Sequence, residues 1–198
     1  LPSYELEPFT LDRSIRLVGA TEILLPYSVR VLFWLNDPEQ QVLWPDSADN
    51  LASCLGTPSS SHTDADALGY PRRDYLWQHT CFELFIGLKN QTAYREINLS
   101  PAGVWNCYGF DDYREPADMP PVAVHDIQLL ELKAQPQKLE AVLSFHHFFE
   151  NYQCGWNDLM IGMTSVIKTR KQPELYFALQ HSGAQADFHC KRDWISTF

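Results

Sequence analysis

The sequence predicts an all-β fold, a sandwich or barrel of antiparallel strands with room for one or two short helices. Two observations carry this. Short runs of β-branched and aromatic residues alternate with polar ones, and turn residues separate the runs at short spacing. Aromatics make up 13% of the chain, with six Trp and nine Tyr, a composition that suits strands or aromatic-lined binding surfaces. The 198 residues, 45% hydrophobic, are enough for one full core, and no repeat or linker divides residues 1–198.

The elements follow in chain order. YSVRVLFWL (27–35) is a strand between Pro26 and the turn-like NDPEQ, and QVLWP (41–45) stops at Pro45. From about 45 to 74 the chain is rich in Ser, Asp, Gly and Pro, the composition of a long surface loop. CFELFIGL (81–88) and AYREINLS (93–100) are joined by a hairpin-length connection, and VWNCYGF (104–110) ends in the turn DDYREP. VAVHDIQLLEL (122–132), KLEAVLSFHH (138–147), MIGMTSVIK (160–168) and LYFALQH (175–181) continue the rhythm, with FHHFFENYQC (145–154) the candidate helix.

A formal net charge of −10 and a pI near 5 disfavour nucleic acid and anionic membrane surfaces as partners. No apolar run approaches the ~18 residues of a membrane-spanning helix. Five cysteines (Cys54, Cys81, Cys107, Cys154, Cys190) form an odd set without CxxC spacing, which argues against structural zinc and a disulfide framework. With no signal-peptide pattern at the first residues, the expected compartment is the reducing cytoplasm.

The candidate site lies in LWQHTCFELFIGL (76–88). Phe82, Leu84, Ile86 and Leu88 form a core face, leaving Cys81, Glu83, Phe85 and Gly87 on the other. A hairpin turning at Asn90 and Gln91 sets Glu83 opposite Asn98 and Phe85 opposite Glu96. Tyr94, Glu96 and Asn98 then share the face of Glu83, while Ile97 and Leu99 join the core and Arg95 interrupts it. Such a face is either merely solvated, with Glu83 bonded to Asn98, or a groove whose carboxylates and amides hold hydroxyls. Tyr75, Trp77, Trp105 and Tyr108 flank it as stacking surfaces or as core aromatics.

An enzymatic reading rests on the diagonal pair Glu83 and Glu96. Diagonal cross-strand neighbours lie ~7–8 Å apart, inside the ~6.5–9.5 Å window of inverting glycosidases. Any two same-face carboxylates on adjacent strands meet that condition, so it is a weak signal. No GxSxG, Gly-rich phosphate loop or HExxH is present. Asp187, His189 and Cys190 cluster near the tail without zinc-motif spacing. His146 and His147 sit among phenylalanines, a context for packing. Met119, Met160 or Met163 with His181 offers a Met/His pair for haem, without the CxxCH of covalent attachment.

Three stretches, LWQHTCFELFIGL, YREINLSPAGVWNCYGFDDYRE and LYFALQHSGAQADFH, resemble the small bacterial DOMON-like proteins, grouped in fold with family 9 carbohydrate-binding modules. The shared pattern falls on Trp77, Glu83, Tyr94, Glu96, Asn98, Ser100, Pro101, Gly103 and Trp105. The resemblance spans about residues 74–115 and 160–190, and the 45–74 loop exceeds the pattern. It implies an immunoglobulin-like β-sandwich that binds sugars or, in some DOMON domains, haem, and it implies no reaction. The expectation is a non-catalytic, carbohydrate-binding module. A sugar ring would stack on Trp77 or Trp105, its hydroxyls held by His79, Glu83, Glu96 and Asn98. Haem binding and glycoside hydrolysis are the alternatives.

Overall fold

The structure is a computed structural model that describes residues 1–45, 69–171, 173–196 and 198. Most of the expected 45–74 loop lies outside the described residues. Among the described residues there are ten strands: β1 (Ser3–Pro8), β2 (Arg16–Leu24), β3 (Ser28–Asn36), β4 (Cys81–Leu88), β5 (Tyr94–Leu99), β6 (Trp105–Phe110), β7 (Gln128–Gln135), β8 (Lys138–Ser144), β9 (Leu159–Ile167) and β10 (Leu175–Ala178). One short helix, α1 (His146–Tyr152), follows β8, where the phenylalanine-rich stretch predicts it.

All pairings between strands are antiparallel, in the order β6-β5-β4-β9-β10-β1-β2-β3-β8-β7. The expected all-β, antiparallel fold is therefore the observed one. The two layers are the halves of one curled sheet, joined through β1. Residues 3–6 of β1 pair with β2, while Glu7 and Pro8 pair with Ala178 and Phe177 of β10. The layers close on each other through side chains: the Phe33 ring of β3 lies 5.1 Å from that of Phe82 on β4. Leu17, Val31, Leu84, Ile97, Leu139 and Ile161, drawn from both layers, belong to the same buried core.

Two strands stand where the sequence reading named none, and each hides for a physical reason. β1 is six residues long and ends at a proline, with Tyr4, Leu6 and Pro8 turned inward. In β2, Gly19 and Ala20 dilute the β-branched signal. At Gly19 a Cβ would come within 2.9 Å of the Met163 sulfur from the opposite layer, so that methionine would have to shift to admit one. Conversely, QVLWP contributes a single bridge, Val42 to Thr169, and residues 122–127 only the bridge of Ala123 to Tyr108.

Arg95, on the core face of β5, is accommodated at the margin of the core. It ion-pairs with Asp126 at 2.7 Å and donates to the Tyr152 hydroxyl at 2.7 Å. These partners hold the guanidinium more firmly charged than usual despite its burial.

Candidate functional site

The hairpin of β4 and β5 has the expected register: Glu83 faces Asn98 and Phe85 faces Glu96. Period-two alternation then puts Glu83, Glu96 and Asn98 on the face away from the core. Neighbouring strands extend that face with Thr164 (opposite Glu83), Gly162 (opposite Phe85) and Tyr108 (opposite Glu96). What differs from expectation is its environment. Every residue of β4, β5 and β6 is buried on both faces. The face is neither solvated nor a shallow groove.

The cover is the C-terminal segment. Trp194 packs on Phe85 and Tyr94, with ring centroids 5.5 and 5.6 Å apart. It approaches so closely because Gly162 lacks a side chain; a Cβ there would stand 2.6 Å from the indole. Lys191 reaches over Gly87 and donates to the carbonyls of Leu88, Gln91 and Ala93, capping the β4–β5 turn. Burial lowers its pKa, and the three carbonyls accept its hydrogen bonds.

Beside this cover a cavity of about 370 Å³ remains open. Glu83 and Glu96 form its polar floor. Trp77, Phe110, Tyr176 and Phe188 supply aromatic wall, and the 114–121 loop, including Met119, forms the rim. Trp77 is presented by the short 3-10 turn Leu76–Gln78 and meets the Tyr108 ring edge-on at 6.0 Å. Across the mouth, Asp187 accepts from the Tyr113 hydroxyl at 2.8 Å and from Arg114 at 2.9 Å. The two sides of the rim are thereby joined by one carboxylate, whose pKa these partners lower against the opposing effect of burial.

The floor is electrostatically unusual. Glu83 is 2% and Glu96 6% exposed. Burial raises the pKa of Glu83 well above the ordinary carboxylate value, and the charge of Glu96 raises it further. Burial also lifts Glu96 to about 7, against the lowering effects of a hydrogen bond from Asn98 and the charge of Arg114. Thr164 donates to Glu83 Oε2 and Asn98 donates to Glu96 Oε1, each at 3.0 Å. The cross-strand bond of Glu83 with Asn98 is absent from this arrangement, and Asn98 Oδ1 is buried without a partner.

His189 stands over Glu96. Its ring packs edge-on against Phe85, Tyr94 and Phe110. Burial, then the charge of Arg114, lower its pKa to about 3, so it is neutral at physiological pH. The Tyr94 hydroxyl accepts from the Arg114 backbone N–H at 3.0 Å and lies 2.7 Å from His189 Nδ1. Donation from that hydroxyl assigns the ring's own proton to Nε2, which faces Glu96 Oε2 at 3.6 Å. Burial holds Tyr94 as a phenol, pushed up to about 12.

Of the sequence-named residues, Trp77, Glu83 and Glu96 line the cavity, and Asn98 supports its floor. Trp105 pairs with Leu99, lies fully buried in the core and carries the Arg72 guanidinium over its ring at 4.3 Å. It is turned away from Glu83 and offers no stacking surface. His79 closes the 3-10 turn through its backbone and is not among the lining residues. Burial, with the charge of Lys168, lowers its pKa.

Of the residues weighed as a Met/His pair for haem, Met119 lines the cavity and His181 does not. Met163 is buried in the core, and His181 Nε2 lies 2.8 Å from the Glu7 carbonyl. His146 and His147 cluster with Glu150 on the surface of α1, outside the cavity lining. His189 was legible only as part of a weak tail cluster with Asp187 and Cys190. Nothing in its spacing signals the face it covers.

No protein-family model matches the chain, and no curated protein matches it significantly in sequence. Among solved structures, the fold is similar to that of a Bacteroides uniformis protein provisionally described as carbohydrate-binding. The TM-score is 0.57 at 10% sequence identity, over 98% of this chain and 84% of the other. The likeness establishes a shared β-rich architecture across nearly the whole chain.

Proposed function

We propose that the protein is a non-catalytic carbohydrate-binding module whose site is the cavity over β4 and β5. The observation that carries this reading is the pairing of aromatic wall with a carboxylate floor in one open-mouthed cavity. A sugar presents an apolar ring face and a rim of hydroxyls, and needs both kinds of partner. At about 370 Å³ the space lies in the range of small-molecule sites, ~300–1,000 Å³. Trp77 stacks on the ring, and Glu83 and Glu96 accept from hydroxyls. The fold likeness to a protein provisionally described as carbohydrate-binding adds weak support.

A thermal-shift screen of mono- and oligosaccharides, with haem in the same plate, tests the reading. A ligand at a hundred times its dissociation constant adds ~2.7 kcal/mol of stability, a visible shift. Trp77→Ala and Glu83→Gln should abolish the shift while leaving the protein folded; a shift that survives both places the sugar elsewhere.

One observation favours a second reading, glycoside hydrolysis: both floor carboxylates titrate above the ordinary range, as a general acid must. Release of reducing ends, lost in Glu83→Gln or Glu96→Gln, would establish it over simple binding.

A further inference from the structure

The cavity floor holds two carboxylates that no cation of the described residues pairs with directly, Arg114 acting on Glu96 only from a distance. Glu83 and Glu96 each have one oxygen held by a neutral donor, from Thr164 and Asn98 respectively. Among the described residues no Lys or Arg forms an ion pair with either. The nearby cations are committed elsewhere. Arg114 is joined to Asp187, Arg95 lies on the opposite face with Asp126, Lys168 with Glu174, and Lys191 on backbone carbonyls. His189 faces Glu96 from above, but it is neutral, and 3.6 Å is beyond a hydrogen bond.

The other titratable groups around the floor add no positive charge. Tyr108 donates to Asp74 and Tyr176 to Glu174, Asp118 is at the rim, and burial keeps the Cys81 thiol protonated. Two buried carboxylates facing an aromatic-walled cavity are costly unless something entering the cavity uses them. Hydroxyls supply donors to them but no compensating charge. An ammonium supplies both, and it is also attracted to the faces of Trp77 and neighbouring rings.

We infer that the sugar bound in this cavity carries a basic nitrogen, an amino sugar whose ammonium sits between Glu83 and Glu96. The inference rests on the carbohydrate reading and narrows it. Binding expels the proton that the two carboxylates otherwise hold, and that proton passes to solvent. Where one proton leaves per ligand bound, linkage makes affinity rise tenfold per pH unit. N-acetylation removes the charge and abolishes the advantage.

The test is titration calorimetry with glucosamine, N-acetylglucosamine, glucose and methylammonium, at pH 6 and 7, in two buffers of different ionisation heat. Glucosamine is expected to bind at least tenfold more tightly than either neutral sugar, to release a proton, and to tighten roughly fivefold from pH 6 to pH 7 as a group titrating near 7 gives up its proton. Glu83→Gln and Glu96→Gln, each confirmed folded by its melting transition, should lose that preference. Glucose or N-acetylglucosamine binding as tightly as glucosamine overturns the amine inference and leaves the carbohydrate reading standing. Methylammonium binding as tightly as glucosamine overturns the sugar reading instead, and with it the amino sugar. Binding of none of the four overturns both.

Discussion

The outer faces of the two layers carry the same kind of residue and treat it in opposite ways. On the layer of β2, β3 and β8, Glu22 and Glu140 flank Arg30 and ion-pair with it, with side chains 21–38% exposed. On the layer of β4, β5 and β9, Glu83 and Glu96 are buried and have no such cation. The strands themselves do not differ enough to explain this. The difference comes from a separate segment, residues 186–194, which lies over one layer and not the other. Water and a paired arginine neutralise the first face; on the second, protons do so until something else enters.

Breaking the cover should have the largest effect. Trp194→Ala removes a nearly buried indole that contacts Phe85 and Tyr94, and a loss of ~3–5 kcal/mol is expected in urea unfolding. A loss below ~1 kcal/mol would mean that the cover does not depend on this side chain. Gly162→Ala attacks the same contact from below by forcing a Cβ against the indole. About 1–3 kcal/mol of destabilisation is expected from overpacking, and an unchanged denaturation midpoint would show that Trp194 can yield.

The electrostatic contrast is sharpened by pH. Glu83 and Glu96 titrate higher in the folded protein than in the unfolded chain, Glu96 at about 7. The folded state therefore binds more protons above the ordinary carboxylate range, and stability falls as pH rises through 7. Between pH 6.5 and 8 the expected loss is roughly 1–3 kcal/mol, and the double variant Glu83→Gln, Glu96→Gln should flatten it. His189 acts with the opposite sign. With its pKa near 3 in the fold, the unfolded chain binds the extra proton from about 3 to 6.5, so this contribution rises with pH there. Between about pH 4.5 and 6.5 the two effects oppose, so His189→Phe should make stability fall more steeply with pH there, and an unchanged slope would contradict the assignment. The smallest effect belongs to the other layer. Arg30→Gln breaks two partly exposed ion pairs, and a change of no more than ~1 kcal/mol is expected.

The parts of this contrast legible in sequence were those fixed by local periodicity. The apolar row from Phe82 to Leu88 cannot slip by one residue without turning outward, which fixes the parity; a turn at Asn90 and Gln91 then sets Glu83 against Asn98. The same parity places Trp105 inside, because it pairs with Leu99 on the core face. Trp105, expected as a stacking surface for the ligand, instead follows that alternation across the turn at Ser100 into the core. The cover was hidden for a different reason. It depends on contacts between residues far apart in sequence, Trp194 with Gly162 and Lys191 with Leu88. A signal was nonetheless present: Phe85, Gly87, Gly162 and Phe110 are poor choices for a solvated face, and together they describe one with something lying on it.

The division of β1 between the layers bears on how the chain finds its fold. Its first half pairs with the adjacent strand β2, a short loop away, whereas its last residues pair across positions 7 and 178. Closing the second contact requires most of the intervening polypeptide to be in place, and long-range pairings of this kind slow folding. The expected order is a β2–β3 hairpin early and the junction at Glu7 late. Pulse-labelling hydrogen exchange can read it, because the amide of Phe9, bonded to the Tyr176 carbonyl at 2.8 Å, reports on that junction. Its protection should appear after that of Arg30 and Leu32, whose backbones face Glu22 and Ala20 of β2; simultaneous protection would show that the two ends of the chain meet before the layers form.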